Sequence, residues 1–298
     1  MAIRNRWNLF LVFILIIEFL FLEKIPAAET PAQRTAKLNA AVEKQAELVR
    51  GKLTDKQHLI VRAPFVIAGN LSEETLVAWH DQTIALAAAA LGRQFFTAAP
   101  DVPITIWLFP DAETYAAESL RLFNDKDVSV YGYYKPDKRT LVMNIGTGGG
   151  TLVHELTHAL AAFDFPGQPD WFNEGLASLY EQSRFLGAGN KLRIVGRTNW
   201  RLPKLQETIA AGKLQPLNEL MTMRDFRGPQ MGLNYAQARY FCQYLQEQGK
   251  LEDFYRAFRN NRLKDPHGVE AAKKVLGEKA WKTIDADYQE WVGTLRRD

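Results

Sequence analysis

The chain has 298 residues, enough to bury a full hydrophobic core without covalent staples, and its 47% apolar and 24% charged residues are ordinary for a folded protein. A net charge of +3, with no run of Lys and Arg interleaved with aromatics, speaks against a nucleic-acid partner. The single cysteine, Cys242, rules out an intrachain disulfide, and its neighbours Tyr240, Phe241 and Tyr244 predict a buried, inert thiol.

At the N-terminus, Arg4 and Arg6 precede an apolar run over residues 9–22, interrupted by Glu18 and followed by Ile25-Pro26-Ala27-Ala28. This is the pattern of a secretory signal. The run falls short of the roughly 20 residues that span a bilayer, and a mid-segment acid costs about 2.5–3.5 kcal/mol, which favours cleavage. Pro26 occupies a position where signal cleavage wants a small residue, which favours an uncleaved anchor. Residues 1–28 therefore read as a signal peptide or N-terminal anchor, with 9–22 as a candidate membrane tether. Both outcomes predict an extracytoplasmic address: periplasmic, secreted or membrane-anchored.

Residues 29–57 read as a helical spacer, since 30–50 are rich in Ala, Gln, Lys and Glu and stop at Gly51; the helix is expected to be exposed or lightly packed. Residues 58–68 are β-branched and apolar and predict a strand, with Pro64 marking an edge or bulge. Ser72 then caps a long helix with Glu73 and Glu74 in its first turn, running to Leu91. A strand over 104–109 precedes a helix capped by Asp111 and ending near Phe123. Two strand-like runs, 128–134 and 139–145, flank Lys135-Pro136-Asp137-Lys138, a hairpin signal.

A glycine-rich break, Thr147-Gly148-Gly149-Gly150, leads into a helix with Thr151 as its candidate N-cap. Within it stands His154-Glu155-Leu156-Thr157-His158. Residues four apart share a helix face, so the two imidazoles can grip one cation at about 2.0–2.1 Å from each nitrogen. Glu155 is rotated away from the ligand position and can instead serve as a general base toward water, the arrangement of zinc hydrolases. Asp164-Phe165-Pro166-Gly167-Gln168-Pro169-Asp170 ends this helix, and a second helix follows over 171–183 with Trp171-Phe172-Asn173-Glu174-Gly175-Leu176-Ala177. A carboxylate on a facing helix completes a catalytic zinc site, which nominates Glu174 as third ligand. Asn173 and Ser178 lie beside it and one turn beyond, where they could orient a ligand side chain or serve as ordinary cap and surface residues. Asp164, six residues after His158, is a rival third ligand at the metzincin spacing, but that class breaks its helix with a Gly where this chain has Ala161. His58, His80 and His267 sit alone and read as structural or solvated.

The pair of motifs resembles the gluzincin metallopeptidases, whose aminopeptidase-N branch carries a similar HExxH followed by a WLNEGFA-type ligand helix. The resemblance implies one zinc ion on His154, His158 and Glu174, with Glu155 activating water. It also implies an oxyanion-stabilising tyrosine downstream, for which Asn234-Tyr235-Ala236-Gln237-Ala238-Arg239-Tyr240 offers Tyr235, with Arg239 as a candidate substrate anchor. Tyr235 also lies on an apolar stripe with Ala238, Phe241, Cys242 and Leu245, the pattern of a core residue, and both readings stand. The aminopeptidase amine-binding run before the zinc helix has no counterpart in residues 141–146, and the spacer to Glu174 is shorter. The chain thus resembles the small peptidase-MA-like proteins, and endopeptidase action is expected over exopeptidase action. In gluzincins an edge strand just before the zinc helix borders the cleft, a role expected of 139–145, although an interior strand fits the letters equally.

After residue 199 helices are expected over 205–211, 216–223, 235–247, 251–260, 269–276 and 280–295. The expected fold is α+β and zincin-like within residues 58–298. A sheet-and-helix half (58–150) precedes an all-helical half (151–298), with the active site in the cleft between them. The expected activity is zinc-dependent hydrolysis of a peptide or protein substrate. A non-enzymatic binding protein on the same scaffold and a zinc amidase or esterase acting on a non-peptide substrate are the alternatives, and oligomeric state is not legible.

Overall fold

The structure, a computed structural model, describes residues 29–296. The signal or anchor reading of residues 1–28, including the tether at 9–22, lies outside the described residues. Among the described residues, no helix is long and apolar enough to cross a membrane. Among the described residues, 37–296 belong to one compact unit and 29–36 to another. There Thr30 and Gln33 cap each other, the Thr30 hydroxyl accepting from the Gln33 amide (3.2 Å) while the Gln33 side chain accepts from the Thr30 amide (2.8 Å).

The first helix, α1 (Pro31–Arg50), ends one residue before Gly51 as expected. It is not a spacer throughout: Val42, Ala46 and Val49 are buried, and the Gln45 side chain donates to the Thr105 hydroxyl at 2.9 Å. The spacing 42, 46, 49 puts these three on one stripe, and burying each valine stabilises by about 1.5–3 kcal/mol, so the second half of α1 belongs to the smaller core on one face of the sheet.

The expected strand at 58–68 is two strands. β1 (His58–Arg62) and β2 (Phe65–Gly69) pair antiparallel about a turn at Ala63-Pro64, because proline has no N–H to offer a ladder. A helix capped by Ser72, whose hydroxyl accepts from the Thr75 amide at 3.3 Å, runs as α2 (Glu73–Trp79), a π-helical turn and α3 (Ala85–Gln94). β3 (Ile104–Phe109) and α4 (Ala112–Phe123) stand as the sequence predicts, with Asp111 accepting from the Thr114 amide at 2.8 Å. β4 (Gly132–Lys135) and β5 (Thr140–Asn144) form the expected hairpin.

The sheet order is β1-β2-β3-β5-β4, with β2, β3 and β5 parallel and the outer pairs antiparallel. The strand over 139–145 is therefore interior, and the edge position falls to β4. Alternation along the strands explains the layering. Ile67, Ile106, Leu108, Leu141 and Met143 face α3 and the helix α5 (Gly149–Asp164). Val66, Ala68, Trp107, Phe109 and Val142 face α1 and Tyr115 of α4.

The rest is mostly helical, and the α+β architecture expected from the sequence is present. α6 (Asp170–Tyr180) follows α5; a small hairpin that the sequence did not announce, β6 (Ser183–Leu186) and β7 (Arg193–Gly196), comes next. Then come α7 (Leu202–Ala210), α8 (Leu217–Thr222), α9 (Met231–Glu247), α10 (Leu251–Asn261), α11 (Val269–Val275) and α12 (Trp281–Thr294). Two glycines permit the contacts that bring the site together. A Cβ at Gly175 would meet the Ala238 carbonyl oxygen of α9 at 2.9 Å, and one at Gly150 would meet the Glu181 carbonyl oxygen at 2.2 Å. Only glycine lets α6 lie this close to α9, and the start of α5 this close to the end of α6.

Candidate metal centre

α5 begins three residues earlier than a Thr151 cap predicts, directly after Gly148, whose φ of 98° favours glycine. Leu152, Leu156, Ala159 and Leu160 are buried in the core, while His154, His158 and Ala162 line a cleft of about 530 Å³. The 3.6-residue turn puts these three on one line. α6 is anchored by Trp171 and Phe172, which pack among Phe254, Tyr255 and Phe258; the Trp171 indole donates to the His267 carbonyl at 3.0 Å. This fixes the helix so that Asn173 and Glu174 face α5.

His154, His158 and Glu174 form a group able to hold a metal ion. The two Nε2 atoms are 3.0 Å apart, and Glu174 Oε2 lies 3.3 Å from that of His154 and 3.6 Å from that of His158. His158 Nδ1 stands 2.9 Å from Asn173 Oδ1. With the amide oxygen accepting, Nδ1 carries the proton and Nε2 presents a lone pair to the group's centre. Behind His154, Glu181 Oε1 lies 3.2 Å from Nδ1. Glu181 is held in turn by Arg201.

The electrostatics favour a cation at the centre. Burial opposes charge on His154, but the carboxylates of Glu174 and Glu181 outweigh it and raise its pKa to about 10. Burial likewise opposes charge on Glu174, and the two imidazoles hold its carboxyl far below the usual range. For Glu181, His154 and Arg201 overcome burial and lower the pKa to about 2.

Glu155 is half-buried and lines the same cleft, out of the ligand triangle. Tyr235 also reaches it from α9, so this tyrosine is not simply core; its hydroxyl accepts from Arg227 Nη1 at 3.1 Å. Burial and the nearby Glu174 charge raise the Tyr235 pKa, which keeps the phenol protonated.

Two further sequence candidates are elsewhere. Arg239 does not line the cleft and is no substrate anchor: it is fully buried, donating to the carbonyls of Ser178 (3.0 Å) and Arg197 and to Gln243 (2.9 Å). Burial lowers its pKa to about 10. Its place on α9 brings it over the α6 backbone, and the same α6–α9 packing that admits Gly175 encloses it. Ser178 is fully buried and its hydroxyl makes no hydrogen bond to a ligand side chain. Asp164, the rival ligand, accepts from the Thr97 and Ala98 amides, the Thr97 hydroxyl, Tyr255 and Arg259, and so ties α5 to α10. His58, His80 and His267 take no part in a metal group among the described residues.

Sequence reasoning missed Glu181 and Arg227. Glu181 stands seven residues after Glu174, two helical turns on, a spacing that could have nominated it. Arg227 belongs to the loop between α8 and α9 and donates to Glu174 Oε1 at 2.5 Å; no periodicity predicts that contact. Gly132, Tyr133 and Tyr134 of the edge strand β4 line the cleft in place of the expected 139–145 strand. Compared with protein-family models and with curated proteins, the chain finds no match in either.

Proposed function

We propose that this chain is a zinc-dependent peptidase of the gluzincin type, acting outside the cytoplasm, with one zinc ion on His154, His158 and Glu174. The observation that carries this reading is the ligand triangle of 3.0, 3.3 and 3.6 Å. Three corners of a tetrahedron with bonds of 2.0–2.1 Å lie about 3.3 Å apart, so the donors already stand at the spacing zinc requires. Two nitrogens and one carboxylate facing an open cleft also match a catalytic zinc site, which keeps a free position, and not a closed structural one.

Bound there, zinc would supply Lewis acidity toward a carbonyl group and a water molecule. Glu155 takes a proton from the attacking water and delivers it to the leaving amine nitrogen, a role open to a carboxylate that lines the cleft without ligating. Tyr235 donates its phenolic proton to the developing oxyanion. Its oxygen accepts from Arg227, and its O–H, which also lies near the Glu174 carboxylate, is the donor it can turn toward substrate. Asn173 holds the His158 ring, Glu181 attracts the His154 ring, and Arg227 occupies the Glu174 oxygen turned away from the imidazoles.

Elemental analysis of purified protein, with turnover measured on a fluorogenic peptide library, tests the reading. The expected result is one zinc per chain in the wild type and in Glu155→Ala, with peptide cleavage in the wild type only. A folded wild type that binds no zinc, or a Glu155→Ala protein with undiminished cleavage, removes the proposal.

A further inference from the structure

The cleft does not end beside the metal ligands. Beyond Ala162 it meets a second hollow of about 450 Å³, and Tyr134, Pro136 and Ala162 line both. The second hollow adds Asp101, Val102, Arg139 and Phe163. One wall is α5, which runs from His154 to Ala162 over eight residues, about 12 Å at helical rise. The opposite wall is the edge strand and its turn, from Gly132 to Pro136, about 13 Å at strand rise. The two walls cover the same interval in the same chain direction.

The lining changes along this path. Near the ligands it is charged and hydrogen-bonding, with Glu155, Arg227 and Tyr235. Past His158 it turns apolar, with Tyr134, Pro136, Ala162, Phe165 and Pro166. An apolar stretch that opens into a further hollow fits side chains of a through-running substrate, where a blind wall would fit a chain end.

The geometry points to a groove for an extended polypeptide that runs past Ala162 into the second hollow, so that about four residues on one side of the reacting bond are read at roughly 3.3 Å each. Ala162 is the residue that keeps the passage open, and Tyr134, Pro136 and Phe165 select an apolar side chain before it. This makes the substrate an internal stretch of an unfolded or flexible chain. The inference rests on the peptidase reading for which side of the groove holds the reacting bond.

Fluorescence anisotropy with zinc-loaded Glu155→Ala protein tests it. The probes are dye-labelled random peptide pools of about three and about eight residues, below and above the length of the groove. The longer pool is expected to bind about tenfold or more tightly than the shorter, and Ala162→Trp is expected to bring that ratio to about one. Val102→Trp narrows the second hollow from another element and is expected to act in the same direction, which covers a misfolded Ala162→Trp. Equal binding of both pools by the parent protein, or a length advantage that survives both tryptophans, overturns the groove. Wild-type cleavage of the pools is read separately. Length-dependent binding without cleavage sinks hydrolysis and leaves the groove standing, whereas cleavage with no length dependence in binding does the reverse.

Discussion

Asp164 and Glu174 are both buried carboxylates, ten residues apart, and each was a candidate third ligand in the sequence. Their surroundings separate them. Asp164 meets only donors that carry their own protons: two amides, a threonine hydroxyl, a phenol and a guanidinium. Its charge is satisfied, and nothing remains for a cation to do. Glu174 meets two imidazole nitrogens, which in the neutral form bring lone pairs rather than protons, and Arg227 takes only one of its oxygens. Three such donors around an open cleft leave a deficit of positive charge. A saturated carboxylate thus holds a fold together, and an unsaturated one beside histidines prepares a metal site.

Breaking the chemistry of the Glu174 side has the largest expected effect. Glu155→Ala should lower the turnover of a cleaved peptide by about 10²–10⁴-fold with zinc retained, and His158→Ala should lose zinc as well, both read by steady-state kinetics beside elemental analysis. Breaking the Asp164 side should cost stability and leave metal chemistry alone. Asp164→Ala strands the Arg259 guanidinium and should destabilise by about 3–5 kcal/mol in urea unfolding, while the folded fraction still binds zinc. Loss of zinc from correctly folded Asp164→Ala would invert the comparison.

Tyr235→Phe sharpens it further: removing the phenolic donor should cost about 10²–10³-fold in kcat with little change in KM. An unchanged kcat would return Tyr235 to the apolar stripe on which the sequence also places it. Asn173→Ala and Glu181→Gln should each weaken zinc binding by about 10–100-fold in competition with a chelator, the usual worth of a group that orients a ligand.

The smallest effect is a pH dependence. Burial opposes charge on Asp164, but the Ala98 and Thr97 amides, Arg259 and the Thr97 hydroxyl outweigh it and hold the carboxyl below its ordinary value. Its folded pKa is therefore lower than the unfolded value of about 3.9. The resulting stability is fully present above the unfolded pKa and is lost as pH falls through the folded one. Asp164→Asn should accordingly flatten the acid limb of the unfolding curve relative to wild type, while a parallel offset at all pH values would contradict this.

Much of the molecule was legible because its signals are local. The helix caps at Ser72 and Asp111 and the two zinc-type motifs each depend on residues within one turn of one another. The legibility failed where a partner comes from far along the chain. Residues 58–68 read as one strand because composition shows β-branching but not the turn that Pro64 makes. Residues 139–145 read equally as edge or interior, since only the position of β4 decides. The second half of α1 looked exposed because its polar faces dominate the composition, while the three small apolar residues that bury it need the sheet to reveal their use. Arg239 looked like an anchor because a charged residue one turn after a candidate tyrosine suggests substrate; the α6 carbonyl that claims it is 61 positions away.

By itself the sequence determined the candidate ligand set: two histidines four apart, a glutamate between them and a carboxylate on the next helix. A 3.6-residue period places such side chains before any tertiary contact forms. Only the tertiary structure decided which carboxylate faces the imidazoles, which cations stand behind them, which strand is the edge, and that the cleft continues past Ala162. Those depend on close approaches between helices at Gly150 and Gly175 and on a loop arginine at 227, interactions set by packing in three dimensions, to which no spacing along the chain corresponds.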